Sequence, residues 1–175
     1  MPLPTSKQIE AMFSYATKHV KTTTTVRDRG ADRAIKEIAK AKKEPFVKVG
    51  FLEEGEPRKD SGPTNAQIAF WNEFGTSRIP ERPFMRLTWI RKRRDIAKVI
   101  DKTIGEIQVG RMTVAEALGI IGLKAQQATK RTIVTLRDPP NAPSTIMRKK
   151  SSNPLIDTSQ MLNSVQYKVS ENGEE

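Results

Sequence analysis

Apolar residues at helical spacing dominate the chain, and strand-like alternation interrupts them at two places. The first helical pattern runs from Thr5 to about Val20 with Ile9, Met12, Phe13, Ala16 and Val20 on one side, behind a Thr5–Gln8 capping box. The β-branched run Thr22–Thr25 breaks it. A second pattern opens at Asp28 and reaches about Lys43, with Ala31, Ala34, Ile35, Ile38 and Ala39 expected inward, and Glu44-Pro45 ends it. Residues 46–52, FVKVGFL, set Val47 and Val49 against Phe46 and Lys48 and predict a strand. Residues 53–63, EEGEPRKDSGP, are charged, rich in turn formers and without apolar anchors, which suits a hairpin-like arm or a mobile loop.

Thr64 can cap a short helix that carries Ile68, Ala69, Trp71, Asn72 and Phe74, with Gly75 as its stop. Pro80 and Pro83 stiffen the connector that follows, and Pro83 falls where the first turn of the next helix accepts it. The passage reads as short helix, rigid elbow, long helix. The long helix spans Phe84 to about Val109, with a stripe of Leu87, Ile90, Ala97, Ile100, Ile104 and Ile107, and Gly110 closes it. Thr113 and Glu116 form a capping box for another helix. There Val114, Leu118, Ile121, Ala125, Ala128 and Thr132 make a heptad-like seam suited to the preceding helix, while Gly119 and Gly122 would admit a close neighbour.

Residues 137–143, RDPPNAP, stop that pattern, and a short helical turn around Ser144–Arg148 and a polar loop follow. Asp157 and Gln160 suggest a capping box for one or two turns, and residues 164–169 alternate Val165, Tyr167 and Val169 as a final strand that could pair with 46–52. The expected class is α+β: long helices packed on a small antiparallel sheet, with a flexible loop and termini. The expected organisation is an N-terminal helical segment (1–45), an α+β domain (46–170) and a disordered acidic tail (171–175).

Charge adds a bias without deciding a function. With 31 Lys and Arg against 20 Asp and Glu, the net charge is +11. That balance favours polyanion partners or passage beside nucleic acid, and a basic surface kept for solubility explains it equally well. The absence of cysteine excludes disulfides, thiolate zinc sites and cysteine nucleophiles. The start has no apolar signal-peptide core, and no run approaches the ~20 apolar residues of a membrane span. The expectation is a soluble protein made in a cytoplasm, with no membrane partner.

No catalytic constellation emerges. The one histidine, His19, stands among lysines without a nucleophile or an orienting partner. Residues 50–55, GFLEEG, have phosphate-loop glycine spacing, but Glu56-Pro57 stands where Lys-Ser/Thr is required. Glu53, Glu54 and Glu56 cluster without the alternation of a calcium loop. The reading is of no enzyme, no metal and no cofactor.

Two groups of residues are candidates for contact. Trp71, Phe74, Phe84 and Trp89 are interface anchors or core, and Arg78, Arg82 and Arg86 around the elbow could meet a partner's carboxylates or phosphates, or cap helix ends. Trp71, Phe74, Arg78, Arg82, Phe84 and Arg86 form the candidate interface set. Arg91, Lys92, Arg93 and Arg94 with Lys98 and Lys102 form a basic stripe that could lie near nucleic acid. One member must approach the apolar face, where an arginine could snorkel or pair with Asp95 or Asp101. No aromatic residues interleave with that stripe, as they do in single-strand binders. Arg148, Lys149 and Lys150 make a third patch.

Two stretches carry a family resemblance. IAFWNEFGTSRIPERPFMR (68–86) resembles a pattern of tail-component proteins of long-tailed bacteriophages: an alanine and an aromatic before Glu-Phe-Gly, then Ile-Pro-x-Arg-Pro-Phe. STIMRKKSSNPLIDTSQMLNSVQYKV (144–169) resembles that family's ending, in which a Lys-rich loop leads to Pro-Leu-Ile-Asp-Thr and a Ser-x-x-Tyr strand. The likeness covers about half the chain. Ser159 stands where the family usually has glycine, and Glu81 where it usually has a small residue. The resemblance implies a structural virion protein of the neck or tail-completion type, ring-forming, that completes the tail and joins it to the head. Its implied partners are the tail tube, the tail terminator and the head–tail connector, with DNA passing nearby and the virion as its location. The alternative reading is a basic nucleic-acid-binding protein using the Arg91–Lys102 stripe.

Overall fold

The computed structural model describes residues 30–52 and 62–170. The Thr5–Val20 helical pattern, the arm at 53–61 and the acidic end at 171–175 lie outside the described residues. The elements in order are α1 (Ala31–Ala41), β1 (Phe46–Gly50), α2 (Asn65–Phe74), α3 (Phe84–Gln108), α4 (Val114–Thr135), α5 (Pro143–Lys149), α6 (Gln160–Asn163) and β2 (Gln166–Ser170). The fold is α+β. The two strands pair antiparallel, Phe46 opposite Ser170 and Gly50 opposite Gln166, shorter or shifted from the expected 46–52 and 164–169, and this pairing fixes the partner that alternation alone leaves open.

Helix α4 is the centre. It packs along α3 on one side and against both strands on another. The Thr113 capping box with Glu116 fixes its start, the Thr113 side chain accepting from the Glu116 N–H. On the sheet side a Cβ at Gly122 would lie 2.6 Å from the Tyr167 ring and 2.7 Å from Val47, so only glycine lets the sheet settle there. Gly119 has no such neighbour. The close approach expected of both glycines is thus made at one of them, and by the sheet.

The α3–α4 contact is built from threonines, which corrects the stripe read for α3. The buried residues of α3 are Phe84, Thr88, Ile96 and Thr103, whereas Ile90, Ala97 and Ile104 point to solvent. Thr88 Oγ1 lies 2.7 Å from Thr132 Oγ1 across the two helices; Thr132 donates to the Ala128 carbonyl, and Thr88 shares its one proton between Thr132 Oγ1 and the Phe84 carbonyl. A threonine satisfied in this way packs like a small apolar residue. Of the expected stripe, Leu87, Ile100 and Ile107 are partly buried, while Ile90, Ala97 and Ile104 fall on the outer side.

The core cluster joins the elbow to the end of the chain: Ala69, Phe84, Ile133, Leu136, Leu155, Met161 and Val165. Phe84 and Val165 are fully buried, and the Phe84 ring meets Phe51 edge to face at 6.0 Å.

Helix α1 starts at Ala31, later than Asp28, and turns a different face inward than expected. Ala34 and Glu37 are buried, while Ala31, Ile35, Ile38 and Ala39 are exposed. Its start is set by Gly30, whose backbone lies against Gly110 with both φ positive. A Cβ on Gly30 would stand 2.9 Å from the Val109 carbonyl oxygen. Backbones this close leave room only for Ala34 at the crossing. Glu37 then reaches α4, where its carboxylate accepts the Val114 N–H at 3.0 Å and pairs with Lys40 at 2.8 Å. Those bonds, first to Lys40 and then to Val114, hold the Glu37 carboxyl below its ordinary value of 4.5. A lowered folded-state value gives stability that is complete above the unfolded value and disappears as pH falls through the folded one. Glu37→Gln is expected to flatten the loss of stability below about pH 4.5, read as the denaturation midpoint against pH.

Near the end of the chain the Asp157 capping box is not formed. Ser159 is the N-cap of α6, with φ 62 and no side-chain cap, and Asp157 is exposed. Left-handed backbone favours glycine, the residue usual at this place in the pattern that 144–169 resembles. Ser159→Gly is expected to raise stability by about 0.5–1 kcal/mol in a denaturant melt.

Candidate interaction surface and elbow cleft

The elbow is assembled by hydrogen bonds that its own sequence supplies. Thr64 and Gln67 cap α2 reciprocally. Gly75, with φ 74, releases the chain from α2, and a tight loop follows in which Thr76 N–H donates to the Ile79 carbonyl at 2.8 Å. The Thr76 hydroxyl accepts from the Arg78 and Ile79 N–H groups. Pro83 is the N-cap of α3 rather than part of its first turn, and no side chain of its own caps that helix. Glu73 does so from α2: its buried carboxylate accepts the Met85 N–H at 2.8 Å and the Arg86 N–H at 3.1 Å. A carboxylate at a helix start meets both unpaired N–H groups and the positive end of the dipole.

Arg82 binds the elbow to the far end of α4. Its Nε donates to the Pro139 carbonyl at 2.8 Å, and one terminal nitrogen donates to the Pro140 carbonyl at 3.1 Å and to Asn141 Oδ1 at 3.3 Å. The other donates to Asn72 Oδ1 at 3.5 Å. The residue is 4 % exposed, and burial lowers its affinity for the proton. Phe84, two residues on, is core. Two members of the candidate interface set, Arg82 and Phe84, therefore lie in the interior and offer no outer surface.

The other four lie outside. Trp71, Phe74 and Arg78 are exposed, and Arg86 is half in solvent. Phe70, which composition alone did not single out, joins them: its ring centroid is 4.8 Å from that of Phe74. Arg86 stacks on Phe74, its guanidinium carbon 5.1 Å from the ring centroid. Salt bridges to Glu73 at 3.0 Å and Glu81 at 2.6 Å hold Arg86 in place, so the departure at Glu81 supplies a second carboxylate for this arginine. Trp89 and Ile90, one turn along α3, are exposed as well. Aromatics clustered on a held surface beside an arginine have the make-up of protein–protein contacts. Phe74 is 55 % exposed, so Phe74→Ala is expected to cost less than about 1 kcal/mol in a denaturant melt.

On α3, Arg91, Arg93, Arg94 and Lys98 are exposed. Lys92, and not an arginine, is the member near the apolar face, and it pairs with Asp95 at 3.1 Å. Lys92, by hydrogen bond and charge, keeps the Asp95 carboxyl below the usual carboxylate range. Arg91, Arg94, Lys98 and Lys102 follow one another along one side of the helix and make no ion pair among the described residues.

A cleft of about 740 Å³ opens between the elbow and the segment from Pro140 to Met161. Its charged lining is Arg78, Arg82, Arg148, Lys149 and Asp157. Lys149 is half-buried and donates to the carbonyls of Asn153 and Pro154 at 3.5 and 3.3 Å. Burial pushes its ammonium below the usual lysine value, against the pull of Asp157.

Sequence reasoning overlooked Glu73, Asn72 and Asn141. A signal existed for the first: α3 begins with Pro83-Phe84 and lacks its own capping side chain, so a carboxylate had to come from elsewhere. No local signal marks Asn141, since its role depends on Arg82, 59 positions away. The candidate residues His19, Glu53, Glu54 and Glu56 lie outside the described residues. Among the described residues no helix is long and apolar enough to cross a membrane. No protein-family model, no curated protein and no solved structure matches the chain.

Proposed function

We propose that this chain is a structural virion protein of a long-tailed bacteriophage, a ring-forming neck or tail-completion subunit that completes the tail and joins it to the head. The observation that carries the reading is the held aromatic surface of Phe70, Trp71, Phe74 and Arg86, which lies within the stretch that resembles tail-component proteins. An assembly subunit works through such a surface, and closed symmetry repeats it around a ring. The second resembling stretch follows closely on Asn141, which Arg82 of the first stretch holds through the cleft wall. The implied partners are other copies of the chain, the tail tube, the tail terminator and the head–tail connector. The chain acts by fitting between them and needs no cofactor.

The test is made in the phage that encodes the chain. Particles lacking it are expected to accumulate as separate heads and tails, and Trp71→Glu with Phe74→Glu is expected to reproduce that outcome with a folded chain. Joined, infectious particles made without the chain would end this reading.

The exposed line Arg91, Arg94, Lys98 and Lys102 favours a second reading, contact with duplex DNA. Each phosphate contact releases counterions, so such binding weakens steeply with salt. Glutamine at Arg91, Arg93 and Arg94 and at Lys92 is expected to abolish retention on duplex DNA at low salt. Unchanged retention removes this reading and leaves the first untouched.

A further inference from the structure

The elbow cleft holds one buried cation, Arg82, and one half-buried cation, Lys149, with Asp157 as the one carboxylate among its described lining residues. Arg82 is buried and bonded only to neutral oxygens, three of them in the 139–141 turn. Lys149 is half-buried and bonded to two backbone carbonyls. Among the described residues neither makes an ion pair. Removing a cation from water costs free energy that carbonyl dipoles offset only in part, so the surroundings retain a positive potential. Arg78 and Arg148, both exposed, stand on the same cleft, and Asp157 is the one acid among its described lining residues. The lining charge is thus four cations less one carboxylate, or +3.

The walls narrow the choice of anion. Ile68 and Ile79, with Pro80, Pro140 and Pro143, supply apolar surface between the charges. Among the described residues no aromatic side chain lines the cleft to stack on nucleotide bases. Carboxylates alternating with apolar side chains suit it better, and an extended backbone presents side chains in that alternation. We propose that the elbow cleft binds an extended acidic peptide segment of a partner protein, with its carboxylates on Arg78, Arg148 and Lys149 and its apolar side chains against Ile68 and Ile79. The site is distinct from the aromatic surface and does not rest on the virion reading.

The test is fluorescence anisotropy of the full chain with a labelled peptide of alternating glutamate and leucine. The peptide is expected to bind, and its glutamine counterpart to bind about tenfold more weakly. Arg78→Glu and Arg148→Glu are each expected to weaken binding about tenfold, with circular dichroism and melting unchanged because both residues are exposed. Asp157→Asn removes a carboxylate from the cleft and is expected to tighten binding severalfold. Equal binding of the glutamine peptide, or affinity indifferent to both charge reversals, overturns the proposal. So does tighter binding of an oligothymidylate at this cleft, or displacement of the peptide by inorganic phosphate beyond that by chloride at equal ionic strength.

Discussion

Phe84→Ala is expected to lower the free energy of unfolding by about 3–5 kcal/mol, the largest loss from any single truncation described above. Phe84 is fully buried, begins α3 and meets Phe51 edge to face, and its cluster gathers residues from α2, α4, α6 and the approach to β2. Truncation removes the transfer free energy of a ring and leaves a cavity that several elements would have to close together. A urea melt with an unchanged slope and a lower midpoint is the expected record. The contrast with Phe74, ten residues earlier on the same elbow, is the useful control. The two positions have the same side chain and the same sequence neighbourhood, so a small loss at both would overturn the burial assigned to Phe84, and a large loss at both the exposure assigned to Phe74.

The second large effect is expected at Arg82. Arg82→Leu leaves the carbonyls of Pro139 and Pro140 and the Asn141 side chain without their shared donor, at a cost of about 3 kcal/mol. Desolvation of the guanidinium is relieved at the same time, which keeps the figure below a simple sum of the bonds. Arg82→Lys retains the charge but cannot span several acceptors with a planar fork, so it is expected to recover less than half of the loss. A melt of both variants checks this. Full recovery by lysine would mean that charge, and not the fork, holds the turn.

These two residues show where reading the chain as a sequence succeeded and where it could not. The short helix, the elbow and the long helix were legible because their signals are local: Thr64 as a cap, Gly75 as a stop, and the prolines at 80 and 83 between the two helices. The capping box at Thr113 was legible on the same grounds, whereas the two strands were legible only as strands, since their pairing joins residues more than 110 positions apart. The aromatics of the elbow were recognisable as a group, but not which of them faces inward. Phe84 and Phe74 differ only in what the rest of the chain places over them. Arg82 was indistinguishable in the sequence from Arg78, and the turn that buries it comes after two further helices.

What the sequence determined by itself is most of the described elements and those ends that a local cap or glycine stop marks, as at Thr64, Gly75 and Thr113, since such signals act within a few residues through backbone hydrogen bonds. It also determined the excess of positive charge. The tertiary structure alone decided which faces meet. A Thr88–Thr132 contact turns α3 so that Ile90 and Ile104 face water, and the Gly30–Gly110 contact turns α1 so that Ile35 and Ile38 do the same. Burial depends on how closely two backbones approach, and that distance is set by small residues far apart in the chain, whose effect no local hydrophobic pattern records.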